Sequence, residues 1–111
     1  MPNYKRGHTP GRTAFFTVNT FQRRKILLDD LVLTALKNAI AQTRDRLPFH
    51  IDAWVLMPDH MHCIWTLPYH DNKASYRWSM IKRLVTQSLK FSDNFVVSSK
   101  SRQARKESAI W

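Results

Sequence analysis

The sequence is short of three things: cysteine, glycine and acid. Cys63 is the only cysteine, so an intramolecular disulfide is excluded. The composition fits a reducing cytosol, and a cytoplasmic protein is expected. There are two glycines, and no glycine-rich phosphate loop, HExxH or paired-cysteine spacing occurs. The commonest nucleotide, metalloprotease and zinc-finger sites therefore have no support. No apolar run approaches the ~20 residues that a membrane span needs. The N-terminal stretch MPNYKRGHTPGR is basic but lacks the apolar centre of a secretory signal.

Base is abundant. Lys and Arg number 18 against 8 acids, giving a net charge of +10 over 111 residues. The cations run from Lys5 to Lys106 and are interleaved with aromatics such as Tyr4, Phe15, Phe21, Trp54 and Trp78. Such a domain suits a polyanion, above all nucleic acid; the alternative is charge that only maintains solubility. Apolar residues at 43% fit one folded domain with a core of its own.

Along the chain, residues 1–12 form a polar, basic arm. TAFFTVNTF (13–21) is aromatic and β-branched and predicts a strand. LLDDLVLTALKNAIAQTRDRL predicts a helix, with Asp29 and Asp30 at its start, Arg44 and Arg46 at its end, and Pro48 as a stop. Val32, Leu33, Leu36, Ala39, Ile40 and Thr43 keep its inner face. FHIDAWVLM (49–57) and HMHCIWTL (60–67) predict antiparallel strands joined at Pro58-Asp59. In the first of them, Phe49, Ile51, Ala53 and Val55 are expected on one face, with His50, Asp52, Trp54 and Leu56 on the other.

Residues 75–91 predict a second helix, with Trp78, Ile81, Leu84, Val85 and Ser88 inward and Arg77, Lys82, Arg83 and Lys90 outward. The core is thus 13–91. A polar, basic tail, 92–111, carries a short apolar patch from Phe95 to Val97 and ends on AIW. This order predicts an α+β, ferredoxin-like sandwich: a small antiparallel sheet with helices packed on one face.

The chemistry concentrates in MPDHMHCIW, Met57 to Trp65. On a strand, His60 and His62 project to one side, opposite Met61, Cys63 and Trp65. Two imidazoles on one face can share a divalent metal if further ligands arrive from elsewhere, or can exchange protons near neutral pH. They can equally be two half-exposed sheet residues. Asp59 after Pro58 reads first as a turn residue, and His8, His50 and His70 read as surface positions. The candidate nucleic-acid contacts are Lys5, Arg6 and Arg12 in the arm, then Arg23, Arg24, Arg77, Lys82 and Arg83.

PNYKRGHTPGRTAFFTVNT, FHIDAWVLMPDHMHCIWTLP and RWSMIKRL together resemble the REP-associated tyrosine transposases. These belong to the IS200-like single-strand transposases with a His-hydrophobe-His (HUH) motif, matched here by His60-Met61-His62. The likeness runs from about Tyr4 to Arg83. It implies that His60 and His62 hold Mg²⁺ or Mn²⁺ against the cleaved phosphate of single-stranded or hairpin DNA. A tyrosine would attack that phosphate, forming a 5′-phosphotyrosine link and freeing a 3′-hydroxyl.

In that family the nucleophile lies on a later helix, beyond the position of Trp111. None of Tyr4, Tyr69 and Tyr76 matches it, so no catalytic residue is assigned. The resemblance thus implies a single transposase-like HUH domain over 1–111, incomplete at its C-terminus. Such a chain is expected to bind DNA without nicking it alone, and to be marginally stable or to self-associate as a homodimer. The alternative is a non-catalytic basic module that binds nucleic acid on a ferredoxin-like fold.

Overall fold

The computed structural model describes residues 12–90 and 110–111. Lys5, Arg6 and the Phe95–Val97 patch lie outside the described residues. The elements are β1 (Thr13–Asn19), a 3-10 turn (Phe21–Arg23), α1 (Asp30–Arg46), β2 (His50–Met57), β3 (His60–Thr66) and α2 (Ala74–Lys90). The strands form one antiparallel sheet in the order β1-β3-β2. β3 is central, and its inward residues Met61, Cys63 and Trp65 are among the most deeply buried side chains. Both helices contribute their buried residues to the same core, on one face of the sheet. This is the expected α+β arrangement.

α1 is bounded as its charges predict. Asp29 caps it by accepting a 2.9 Å hydrogen bond from Leu31 N–H, and Arg44 and Arg46 occupy the last turn. Its buried face is Val32, Ala35, Leu36, Ala39, Ile40 and Thr43, so Leu33 yields its place to Ala35. On α2 the buried residues are Arg77, Trp78, Met80, Ile81, Val85 and Leu89; Ser88 is exposed. The rings of Trp65 and Trp78 stack 4.3 Å apart between centroids, with Phe16 and Phe49 against them. This aromatic cluster joins sheet to helix.

Two local departures shape the site. β1 stops at Asn19, two residues before the predicted end, because Thr20 turns aside and binds the β2–β3 turn through its backbone and its hydroxyl. In β2 the pairing with β3 shifts between Ile51 and Ala53, which leaves Asp52 as an extra residue. The strict alternation of faces therefore breaks: Ile51, Trp54 and Leu56 are the half-buried, inward positions, and Ala53, Val55 and Met57 face out. At the other end of the chain, Ile110 is buried in the same core, and its carbonyl accepts a 2.8 Å hydrogen bond from Phe21 N–H. Among the described residues no helix is long and apolar enough to cross a membrane.

Candidate metal centre and nucleic-acid face

With both helices on one side, no described element covers the other face of the sheet. Register places its residues in cross-strand rows: Asn19-His60-Met57, Thr17-His62-Val55 and Phe15-Ile64-Ala53. His60 and His62 are neighbours on this face, with ring centroids 4.9 Å apart. They stand where β3 leaves the two-residue turn at Pro58-Asp59.

That turn is strapped from below. Thr20 N–H donates to Asp59 O at 3.0 Å, and Leu27 N–H donates to Pro58 O at 2.9 Å. The segment between them, Gln22 and Arg23, adopts positive φ of 54° and 55°, a left-handed conformation uncommon outside glycine. It brings Arg23 back over the turn. Arg23 Nε donates to Asp59 Oδ2 at 3.1 Å, and Nη2 lies 3.0 Å from the same oxygen.

Each histidine is held by one ring nitrogen. His60 Nδ1 lies 2.7 Å from Asp59 Oδ1. An ionised carboxylate only accepts, so the proton of this bond belongs to Nδ1 and the neutral ring keeps a lone pair on Nε2. His62 Nδ1 lies 3.0 Å from Thr17 Oγ1, a hydroxyl able to accept from it; with Nδ1 as the donor, Nε2 of this ring keeps its lone pair as well. The hydrogen bond from His60 holds the Asp59 carboxyl below its ordinary value, with Arg23 adding to the effect. Asp59 is thus more than a turn residue: it fixes the tautomer and the orientation of His60. No sequence signal marked Arg23 or Thr17 for these roles, because both depend on pairing across the fold.

Two imidazoles with free Nε2 atoms fit part of a divalent-cation site. Among the described residues no group of three or more His, Cys, Asp or Glu side chains could enclose a metal. The remaining positions would fall to water and phosphate oxygens, which suits a hard cation. Cys63 is no candidate, since it faces the core and burial pushes its thiol up to about 11.

The predicted basic contacts separate. Arg12 is exposed at the start of β1, and Arg24 is half-buried in the loop after it. Lys82 and Arg83 lie on α2, half-buried and exposed respectively, and neither has an ion-pair partner among the described residues. Arg23 is engaged with Asp59.

Arg77, expected to face outward as a nucleic-acid contact, is instead fully buried. Its guanidinium spends five N–H donors inside the protein: on Asp71 Oδ1 and Oδ2, and on the carbonyls of Leu47, Pro48 and Lys73. No donor remains for a phosphate. The helical pattern misplaced it because an arginine with a carboxylate partner tolerates the core. The two tyrosines that are described stand elsewhere: Tyr69 packs on His70 in the β3–α2 loop, and Tyr76 lines a groove with Arg46, Met80 and Arg83 in the helical layer.

Comparison with known proteins gives this arrangement a family. The family model "Transposase IS200 like" matches residues 13–73, more than half of the chain. A REP-associated tyrosine transposase of Escherichia coli is 46% identical over 86 residues, covering 78% of this chain and 52% of that protein. A Haemophilus influenzae protein named for the same group is 35% identical, covering 100% of this chain and 61% of its own length. The chain therefore spans between half and two thirds of these relatives.

A solved structure of a REP-associated tyrosine transposase bound to a REP hairpin superposes with a TM-score of 0.67 at 34% identity, over 96% of this chain and 68% of that one. A Deinococcus radiodurans structure, at 18% identity and a TM-score of 0.57, shares the fold over 76% of this chain. On the family match and the coverage of the solved relative, the chain belongs to the IS200-like transposases.

Proposed function

We propose that this chain binds single-stranded DNA beside a hairpin and presents one phosphate to a divalent cation, Mg²⁺ or Mn²⁺, held by His60 and His62. The observation that carries the reading is the paired use of Nδ1. Both rings are tethered through that nitrogen, to Asp59 and to Thr17, and with Nδ1 as the donor each Nε2 keeps its lone pair for a ligand. When bound, the cation would supply charge to polarise a phosphate oxygen. The chain's own part is to hold the two imidazoles, through Asp59, Arg23 and Thr17, and to grip the DNA with Arg12, Arg24, Lys82 and Arg83. A tyrosine nucleophile is not assigned to any described residue. The partner class is supported by the net charge of +10 and by the solved relative bound to a REP hairpin.

The test is a binding titration of a DNA hairpin with a single-stranded flank, in Mn²⁺ and in EDTA. The chain should bind in both, more tightly with Mn²⁺, because phosphate oxygens complete the cation's shell. Affinity should fall steeply between low and moderate salt, with a slope of about −0.7 for each single-strand phosphate neutralised. Equal affinity in Mn²⁺ and EDTA would instead favour the non-catalytic module. Affinity independent of salt would remove the polyanion altogether.

A further inference from the structure

Among the described residues β1 is an edge strand, and beside it the outer face of the sheet carries an aromatic ring that the proposed metal site does not use. Phe15 is 63% exposed. A single exposed apolar ring is ordinary, but this one is placed. Its ring stacks along His62, with centroids 5.4 Å apart and planes 20° from parallel. The rest of the ring is open, and half-exposed Ile64 lies next to it in the same cross-strand row.

From Phe15 a groove of about 490 Å³ runs over the edge of β1 to α2, lined also by Thr17, Ser75, Ser79 and Lys82. The groove thus has an aromatic platform at one end, hydroxyls along its wall and a cation without an ion-pair partner among the described residues. Stacking on an aromatic ring and neutralisation of a phosphate are the two contacts by which single strands are held irrespective of sequence.

We propose that Phe15 and Lys82 form a nucleotide subsite next to the His60–His62 pair. One nucleobase stacks on the open part of the Phe15 ring, and the adjoining phosphate sits in the β1–α2 groove against Lys82. The proposal rests on the single-strand reading above and specifies the path of the strand away from the histidines.

The experiment is an abasic walk in EDTA, where the metal plays no part. A hairpin with a labelled single-stranded flank is prepared with each flank position abasic in turn, and affinities are measured by fluorescence anisotropy. Phe15→Leu keeps apolar bulk but removes the ring, and Phe15→Trp keeps a ring. On intact DNA, Phe15→Leu should lose about tenfold in affinity, and Phe15→Trp should stay within about twofold of the parent. One abasic position should cost the parent the same about tenfold, and on that DNA Phe15→Leu should lose nothing further. Lys82→Met should lower the salt slope by about 0.7.

A Phe15→Leu loss that is equal on every abasic DNA, or no loss at all, overturns the subsite. So does a Phe15→Leu effect confined to self-association in sedimentation, which would make the edge of β1 a contact between copies. If the parent chain shows no salt-sensitive affinity for any of these DNAs, the single-strand reading itself fails. Binding without coupling to any position fails only the subsite.

Discussion

Arg77→Met is expected to destabilise the domain by about 2–4 kcal/mol: the pair is buried on the Arg77 side and partly open at Asp71, so the loss falls somewhat short of that for a fully buried pair. The same change strips hydrogen bonds from the carbonyls of Leu47 and Pro48, which join α1 to β2, and from Lys73 before α2. Against a total stability of about 5–15 kcal/mol for a small domain, that loss would leave little in reserve. Urea unfolding near neutral pH measures it. Arg77→Lys should recover only part, because a lysine has three donors on one nitrogen and cannot reproduce the planar fork that meets both Asp71 oxygens. A contrary result is easy to recognise: a variant with parental stability but a shallower salt dependence of DNA binding would return Arg77 to the surface.

The same pair makes a pH prediction. The hydrogen bond from Arg77 pushes the Asp71 carboxyl down to about 2, from an ordinary value of 3.8. The folded-state value lies below the unfolded one, so the stabilisation is complete above the unfolded value. It is lost as pH falls from there toward about 2. Asp71→Asn, which keeps an acceptor but no charge, should be less stable than the parent near pH 7. It should also lose less than the parent between about pH 5 and pH 3, as followed by urea midpoints.

These residues show where reading along the chain succeeds and where it stops. That His60 and His62 share the face away from the core was legible because a strand alternates, and because Met61, Cys63 and Trp65 between and beyond them had to face a core. α1 was legible because its charges and its apolar spacing agree. Arg77 was not, since nothing local reveals that Asp71 and three carbonyls converge on it. The faces of β2 were misread beyond Ile51 because a one-residue bulge at Asp52 inverts every later position, and a bulge is set by the partner strand. The strap under the histidines was hidden for a similar reason: Gln22 and Arg23 take left-handed backbone angles that their residue types do not announce. What remained invisible was therefore the support of the two rings: Thr17 and Arg23, which come from far away in sequence, and the part of Asp59 beyond its turn.

That support has a measurable share in the proposed metal site. His60→Ala or His62→Ala should abolish Mn²⁺ binding in the presence of the DNA, followed by loss of the free-ion signal in electron paramagnetic resonance. DNA affinity in EDTA should stay within about twofold, since the proposed phosphate contacts lie on arginines and a lysine elsewhere. Asp59→Asn leaves both rings in place and should still weaken Mn²⁺ by about 10- to 100-fold. Two effects act together there. The amide no longer dictates which nitrogen of His60 carries the proton, and Arg23 loses the carboxylate it pairs with at 3.0 Å. Because the freed Arg23 adds an unneutralised charge beside the site, Asp59→Asn should at the same time bind DNA in EDTA at least as tightly as the parent. Weaker metal with equal or tighter DNA is a combination that a general loss of folding does not produce. If Asp59→Asn binds Mn²⁺ like the parent, the carboxylate serves only the turn and the histidines are oriented by Thr17 and the sheet alone.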